Sequence, residues 1–255
     1  MIVYVYDGTF DGFLTVVFQV YESKRDPQQI VSNALRQINL FSNGCEVFTD
    51  DQKSQRVWAG LHKKISPIAC KMLAVVFMSG VPSIEMLLFR YIQKAFESVI
   101  SIENNFGDPV VMDISRLFKK VSRETERVRM FVRFQKMVDG TYFASFDPLY
   151  NVLPLAVSHF EKRFADQAWI IYDVGRKYGF YYDLKEVAEV RFEQSLIHPS
   201  TGKLDSSALA IDEKIFSQLW KQYFDNMAIK ERINPVLHKK LLPKRYWKFL
   251  TEKGA

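Results

Sequence analysis

Residues 127–146 read RVRMFVRFQKMVDGTYFASF, and this stretch decides the fold that the sequence predicts. Apolar and arginine side chains alternate over residues 128–134, which is the two-residue period of a strand with one apolar face and one arginine-rich face. Asp139-Gly140 is typical of a tight hairpin turn, and the aromatic residues after it predict the second strand. A strict two-residue turn pairs Lys136 with Phe143, whereas a bulge would shift that register.

A second strand pair follows further along the chain. Residues 169–172 and 178–182 are apolar and aromatic runs that flank a polar turn. Between the two hairpins, Leu155, Val157, Phe160 and Phe164 recur at helical spacing. The sequence therefore predicts a central antiparallel strand–strand–helix–strand–strand unit. Residues 186–192 fit either a further strand or a helix.

The first half of the chain is predicted to be mainly helical after a short strand at residues 3–6. The predicted helices start at Phe10, at Pro27 (continuing through Ala34 and Ile38), and at residues 52, 67, 82 and 109. A last amphipathic helix carries Ile215 to Met227 and ends at Asn234-Pro235. The fold class is α+β: a helical N-terminal half, the central unit, and a helical basic C-terminus. Residues 1–124 and 125–255 form either two domains or one.

The end of the chain carries all of the excess positive charge. Residues 230–255 contain eight lysines and arginines against two acids, a local net charge of +6 that equals the net charge of the whole protein. Clustered cations release counterions from phosphates, and aromatic side chains stack on unpaired bases. The predicted nucleic-acid contacts are Lys239, Lys240, Lys244, Arg245, Tyr246, Trp247 and Lys248. Alternatively, the aromatic residues attach the tail to the core while the lysines are solvated.

The arginine-rich strand face is a second candidate for phosphate contact. Arg129 and Arg133 would project from one side, and guanidinium groups suit phosphates. The alternative is a solvated face that pairs with Glu124 and Glu126.

Two acids flank the turn between the first strand and the first helix. Asp7 and Asp11 could bind a metal ion or act as acid and base, but turn and capping chemistry explains the same residues. The chain has two cysteines and four scattered histidines, so we predict no metal site and no cofactor. Only two cysteines, without paired metal spacing, indicate a reducing, cytoplasmic compartment. The longest uncharged apolar run, residues 72–84, is shorter than the roughly 20 residues of a membrane span, so no membrane contact is predicted.

Four ordered motifs resemble one known family. They are Tyr6-Asp7-Gly8-Thr9-Phe10-Asp11-Gly12, Phe131-Val132-Arg133-Phe134, Asn151-Val152-Leu153-Pro154-Leu155 and Pro243-Lys244-Arg245-Tyr246-Trp247-Lys248. Together they are similar to a bacterial family labelled as DNA-repair or DNA-metabolism proteins. The resemblance implies a protein that works beside a radical-SAM protein of DNA modification or repair. The homologous domain also occurs fused to uracil-DNA-glycosylase-like domains.

The chain departs from the family pattern at one position. Relatives often have His-Arg-Met where this chain has Val128-Arg129-Met130. Retention of the arginine without the histidine suits a binding or structural role better than histidine acid–base chemistry. The resemblance supplies no catalytic residue.

Taken together, we expect a DNA-binding accessory protein in DNA repair or base modification that acts with a radical-SAM partner. Two cysteines cannot ligate a radical-SAM cluster, so that chemistry would belong to the partner. One alternative is a glycosylase, nuclease or lyase that uses Asp7 and Asp11 or a lysine nucleophile. The other is a protein-interaction scaffold whose basic tail docks on an acidic partner. Whether the protein is an enzyme stays open at this point.

Overall fold

A computed structural model describes residues 2–33, 44–192, 204–227, 229 and 234–253. The chain divides into two units, Met1–Ser122 and Arg123–Ala255. None of the described helices is long and apolar enough to cross a membrane.

Unit 1 contains a three-stranded parallel sheet with helices. The central strand is β1 (Ile2–Tyr6), with β2 (Pro27–Ser32) on one side and β3 (Gly44–Glu46) on the other. The helices are α1 (Phe10–Ser23), α2 (Asp51–His62), α3 (Pro67–Phe77), α4 (Ile84–Glu97) and the start of α5 (Pro109–Phe131). The core between these elements includes Phe13, Leu14, Leu61, Leu73 and Leu88.

The helix predicted to begin at Pro27 is wrong. Residues Pro27–Ser32 form strand β2, which pairs in parallel with β1. An Asp-Pro pair is typical of a helix start, but proline is equally tolerated at the first residue of a strand. Burial of Ile30 against the core and the hydrogen bonds to β1 decide the outcome. The continuation through Ala34 and Ile38 lies outside the described residues.

The strand predicted for residues 128–134 is also wrong, because α5 continues to Phe131. Val121 and Val128 are both fully buried, and their seven-residue separation is helical. The alternation of valine and arginine fits a strand only when the helix that precedes it is ignored. The strand that follows is the two-residue β4 (Gln135–Lys136).

Unit 2 contains a five-stranded mixed sheet in the order β4-β5-β6-β7-β8. Its other strands are β5 (Tyr142–Phe146), β6 (Trp169–Asp173), β7 (Tyr178–Tyr182) and β8 (Val187–Val190). Both predicted hairpins are antiparallel, and β8 resolves residues 186–192 in favour of a strand. Helix α6 (Leu153–Arg163) joins β5 to β6, and these two strands are parallel. The α+β class is therefore confirmed, while the central unit is mixed rather than wholly antiparallel.

The first hairpin contains a bulge, which is one of the two registers that its turn residues allow. Gln135 pairs with Phe143 and Lys136 with Tyr142, one residue away from the strict two-residue register. The N–H of Met137 donates to the carbonyl of Thr141 at 2.8 Å, so the loop has three residues, 138–140, and Gly140 takes a left-handed φ of 87°. This is the geometry of a type I turn followed by a glycine bulge.

The C-terminal part of unit 2 is helical. It contains α7 (Glu213–Met227), α8 (Pro235–Leu241) and a 3₁₀ segment, Lys244–Phe249. Asn234 caps α8 by accepting a hydrogen bond from the backbone N–H of Leu237, 2.9 Å away. The Asn234-Pro235 pair therefore marks the start of α8, in addition to following the last helix that the sequence predicts.

Replacing Gly140 tests the hairpin geometry. A Cβ at this position would meet nothing within 4 Å, so only the backbone strain of a positive φ remains. We expect Gly140→Ala to lower the free energy of unfolding of unit 2 by about 1 kcal/mol. Gly140→Asn is the control, since asparagine tolerates the left-handed region and should lose less. Three of the four tryptophans lie in unit 2, so urea unfolding followed by tryptophan fluorescence reports the change. Equal stability of both variants and the wild type would contradict this turn.

Candidate nucleic-acid interface

The basic tail is attached to the rest of unit 2 through one buried carboxylate, that of Glu124. Glu124 lies on α5 and is only 1% exposed. Nη2 of Arg245 donates to both of its oxygens, at 2.5 and 2.7 Å. The hydroxyl of Tyr246 donates to Oε1 at 2.9 Å. Arg245 and Tyr246, two of the predicted DNA contacts, therefore bind a buried acid of the protein itself.

The same carboxylate receives two further donors. The backbone N–H of Leu149, in the loop after β5, donates to Oε1 at 2.9 Å. Arg127 donates to Oε2 at 3.1 Å, and its other nitrogen donates to the carbonyl of Lys240. Glu124 therefore joins α5, the loop after β5 and the tail in one network. We call these residues the Glu124 hub.

The hub keeps Glu124 ionised. Burial by itself would raise the pKa of this carboxyl group, but hydrogen bonds from Leu149, Arg245 and Tyr246 hold the pKa below its usual range. Burial also opposes the charge on Arg245, yet the contact with Glu124 raises the pKa of its guanidinium. Burial and the neighbouring Glu124 charge raise the pKa of the Tyr246 hydroxyl, so it remains a donor.

A second buried acid, Glu252, holds the end of the tail. Its oxygens accept hydrogen bonds from Arg133 and from the indole N–H of Trp220, each at 2.9 Å. Burial would raise the pKa of Glu252, but its own backbone N–H, Trp220 and Arg133 lower it overall. Trp247 is fixed as well, because its indole N–H donates to the carbonyl of Leu242 at 3.1 Å. Tyr246 therefore attaches the tail to α5, while the contact of Trp247 lies within the tail itself.

Three cations of the tail point to solvent. Lys239, Lys240 and Lys244 are exposed, and their side chains make no ion pair or hydrogen bond with the described residues. Lys248 differs, since its Nζ lies 3.5 Å from Asp147. Lys230 and Arg232 lie outside the described residues. The structure thus brings three free lysines together on a tail that buried acids hold in place.

Arg129 and Arg133 sit near the end of α5 rather than on a strand. Arg129 donates to Glu126 at 2.7 Å and to the carbonyl of Leu155 at 2.8 Å. Arg133 donates to the carbonyls of Met130 and Val132 in addition to Glu252. Both guanidinium groups are held by contacts within the protein, so neither is presented to a ligand as the lysines are.

The acids at the start of the chain belong to a turn in unit 1. Asp7 follows β1 and accepts hydrogen bonds from the backbone and hydroxyl of Thr9 and from the hydroxyl of Thr49. Partial burial opposes its ionisation, but the bonds from Thr49 and Thr9 lower its pKa. Thr9 in turn caps α1, whose first turn contains Asp11. Turn and capping chemistry accounts for both residues, and no group of metal-ligating side chains occurs in the described part of the chain.

Sequence reasoning missed a third buried acid, Asp173. It is fully buried at the end of β6, and burial raises its pKa despite the hydrogen bonds from Arg176. Arg176 also donates to the carbonyls of Pro148 and Leu149, which fixes the loop after β5. Tyr178 donates to Asn151 in the same loop. The sequence did contain an indication. Asp147 directly follows β5 and Asp173 ends β6, and the parallel pairing of these strands brings both aspartates to one edge of the sheet.

These contacts define an α+β protein whose basic tail is held on a mixed sheet by buried acids. Residues 82–252 match the family described as a domain of unknown function, DUF4130, and the chain belongs to that family. The match covers the Glu124 hub and the three exposed lysines. A comparison with curated proteins finds no match.

Glu124→Gln tests the hub. Removing the negative charge leaves Arg245 without its counter-ion in a mostly buried setting, so the free energy of unfolding of unit 2 should fall by about 2–3 kcal/mol. Glu126→Gln is the matched control. Glu126 lies two residues further along α5 and also forms an ion pair with an arginine, but its side chain is exposed. This substitution should cost less than about 1 kcal/mol. Similar losses in urea unfolding for both variants would contradict the assignment.

The hub also predicts a dependence on pH. The pKa of Glu124 is lower in the folded than in the unfolded state, so its stabilisation is complete above the unfolded value and is lost as the pH falls through the folded value. The stability of unit 2 should therefore decline below about pH 5. Glu124→Gln should flatten that decline, which unfolding curves at several pH values measure. Glu252 contributes to the pH dependence of stability with the same sign and Asp173 with the opposite sign, and both are present in the variant. Parallel stability curves for the variant and the wild type would therefore show that Glu124 contributes nothing to this dependence.

Proposed function

We propose that this protein binds DNA through Lys239, Lys240 and Lys244, which we call the lysine patch. The single observation behind the proposal is that these three cations are exposed and unpaired among the described residues, while Arg245, Lys248 and Glu252 of the same tail each pair with an opposite charge. A cation without a protein partner can replace the counterions of a phosphate chain at little cost.

The fixed position of the patch strengthens the proposal. A disordered basic arm would lose conformational entropy when it binds, whereas a tail already held by Glu124 and Glu252 has lost that entropy on folding. The buried Tyr246 serves this attachment, and the indole of Trp247 is fixed by Leu242 within the tail. Tyr246 and Trp247 are therefore assigned to holding the patch rather than to stacking on a base.

The wider setting follows from the family resemblance. We infer an accessory role in DNA repair or base modification beside a radical-SAM protein, in which the partner carries out the chemistry. The free thiols of Cys45 and Cys70 suit the cytoplasmic location that this role implies. We assign no catalytic residue, since the turn contacts of Asp7 explain that residue without catalysis.

A triple substitution of the lysine patch to alanine tests DNA binding. Each phosphate contact should contribute about one unit to the dependence of log affinity on log salt, so the variant should lose about three units of slope on duplex DNA. Fluorescence anisotropy with labelled DNA at several salt concentrations measures this.

The control is a triple alanine variant of Lys63, Lys119 and Lys120. These lysines are exposed in unit 1, and the substitution lowers the net charge by the same amount. It should leave the salt slope close to that of the wild type. Absence of DNA binding by the wild type at low salt, or equal losses in the two variants, would overturn the proposal. Capture of a radical-SAM protein by both variants, with DNA binding absent throughout, would support the scaffold role instead.

A further inference from the structure

Unit 2 contains a groove of about 700 Å³ that no described side chain fills. Aromatic side chains make up much of its lining: Phe134, Tyr142, Phe216, Trp220 and Tyr223. We call this feature the aromatic groove. Its size falls in the range of small-molecule sites.

One wall of the groove is α7, and it is attached to the sheet by specific contacts. The buried Glu213 accepts a hydrogen bond from the backbone N–H of Lys136 in β4 at 2.9 Å. The N–H of Ala210 donates to the carbonyl of Lys136 at 3.0 Å. The helix is therefore positioned by polar contacts at its start, and its aromatic side chains are held beside β4 and β5 without closing over them.

The aromatic side chains of α7 are unusually exposed. Phe216, Trp220 and Tyr223 follow one another at intervals of four and three residues, so they share one face of the helix. Their exposed fractions are 59%, 38% and 55%. A contiguous exposed patch of this kind is typical of a binding site.

The groove is also preorganised. Glu252 fixes the indole of Trp220 and the guanidinium of Arg133, and that guanidinium lies 5.4 Å from the Trp220 ring. The rings of Trp220 and Tyr223 are 5.7 Å apart with an angle of 33° between their planes. Two flat surfaces are thus held in place, one of them backed by a cation.

The groove is continuous with the basic tail. Thr251 lines it, the neighbouring Glu252 binds Arg133 and Trp220 of the lining, and the ammonium of Lys253 lies 4.9 Å from the ring of Phe224 on α7. Because the lysine patch belongs to the same tail, a strand whose phosphates follow the patch can direct a base towards the groove. Cations along a backbone path next to aromatic platforms are the pattern of single-strand binding.

We propose that the aromatic groove takes an unpaired nucleobase, so that the protein prefers single-stranded over duplex DNA. This inference rests on the proposed function. Planar bases stack on the exposed rings, and the hydroxyl of Ser217 together with the carboxylate of Asp212 offers hydrogen-bonding groups at the lining. A base inside a duplex is already stacked and paired, so it cannot enter without being extruded.

The test compares one oligonucleotide in single-stranded and duplex form, using thymine-rich DNA as the probe. Tyr223→Ala should weaken single-strand binding roughly tenfold, the effect of losing one stacked base, and leave duplex binding unchanged. Trp220→Ala should weaken single-strand binding by a similar factor, and its effect is compared with that of Trp220→Phe, because both variants lose the hydrogen bond to Glu252. Trp220→Phe keeps a ring and should bind nearly as the wild type does. Ile215→Ala is the surface control, since Ile215 is 59% exposed on the same helix and does not line the groove.

A second readout follows stacking directly. Single-stranded DNA should quench the tryptophan fluorescence of the wild type, and this quenching should be largely absent in Trp220→Phe. The triple lysine variant separates the two proposals, because it should lose both forms of DNA. If that variant loses both forms while Trp220→Ala and Tyr223→Ala bind single strands as tightly as the wild type, the groove has another occupant, such as an apolar protein surface. The lysine patch would then stand and the base site would be refuted.

Discussion

The burial of an ionised Glu124 is the constraint on which the arrangement of unit 2 depends. A carboxylate out of contact with water needs donors for both oxygens, and no single neighbouring element supplies enough of them. Here the donors come from three places: the same helix, the loop after β5, and the tail. Satisfying the charge therefore fixes the positions of all three at once. Packing of apolar surface alone would leave their relative positions less strictly defined, because it is non-directional.

Polar contacts at a few buried acids also explain why the surface of this unit is uneven in character. Glu124, Asp173 and Glu252 neutralise arginines that would otherwise be part of the basic surface. In the described part of the tail, the cations that remain exposed are lysines, which suit phosphate contact without strict geometry. There the arginine, with several donors in a rigid plane, holds the structure, and three lysines are left available for a ligand.

Much of the fold follows from local pattern, while the site does not. Helices α2, α3, α4 and α6 and the second hairpin are predicted by periodicity and by caps within a few residues of each element. The failures involve distant partners. Pro27–Ser32 forms a strand because β1 lies beside it, and residues 128–131 stay helical because Val128 continues a buried stripe. The strand prediction also concealed Glu124: on a helix it lies between Val121 and Val128 on the buried side, whereas the expected role was a surface partner for arginine. Attachment of the tail by its aromatic residues was one of the two alternatives that the sequence left, but the partner of Arg245 and Tyr246 could not be predicted, since it is more than a hundred residues away.

That separation has a consequence for how the chain acquires its structure. The contacts of Arg245 and Tyr246 with Glu124 span 121 and 122 residues, and contacts between residues so far apart form late and slowly. During synthesis, α5 and the mixed sheet leave the ribosome before their last two donors exist. Until the tail has been made, Glu124 lacks two of its donors and must remain hydrated or take up a proton. Completion of unit 2 is thus coupled to synthesis of the tail, so that a chain cut short before Arg245 would keep an unsatisfied charge and be exposed to proteolysis.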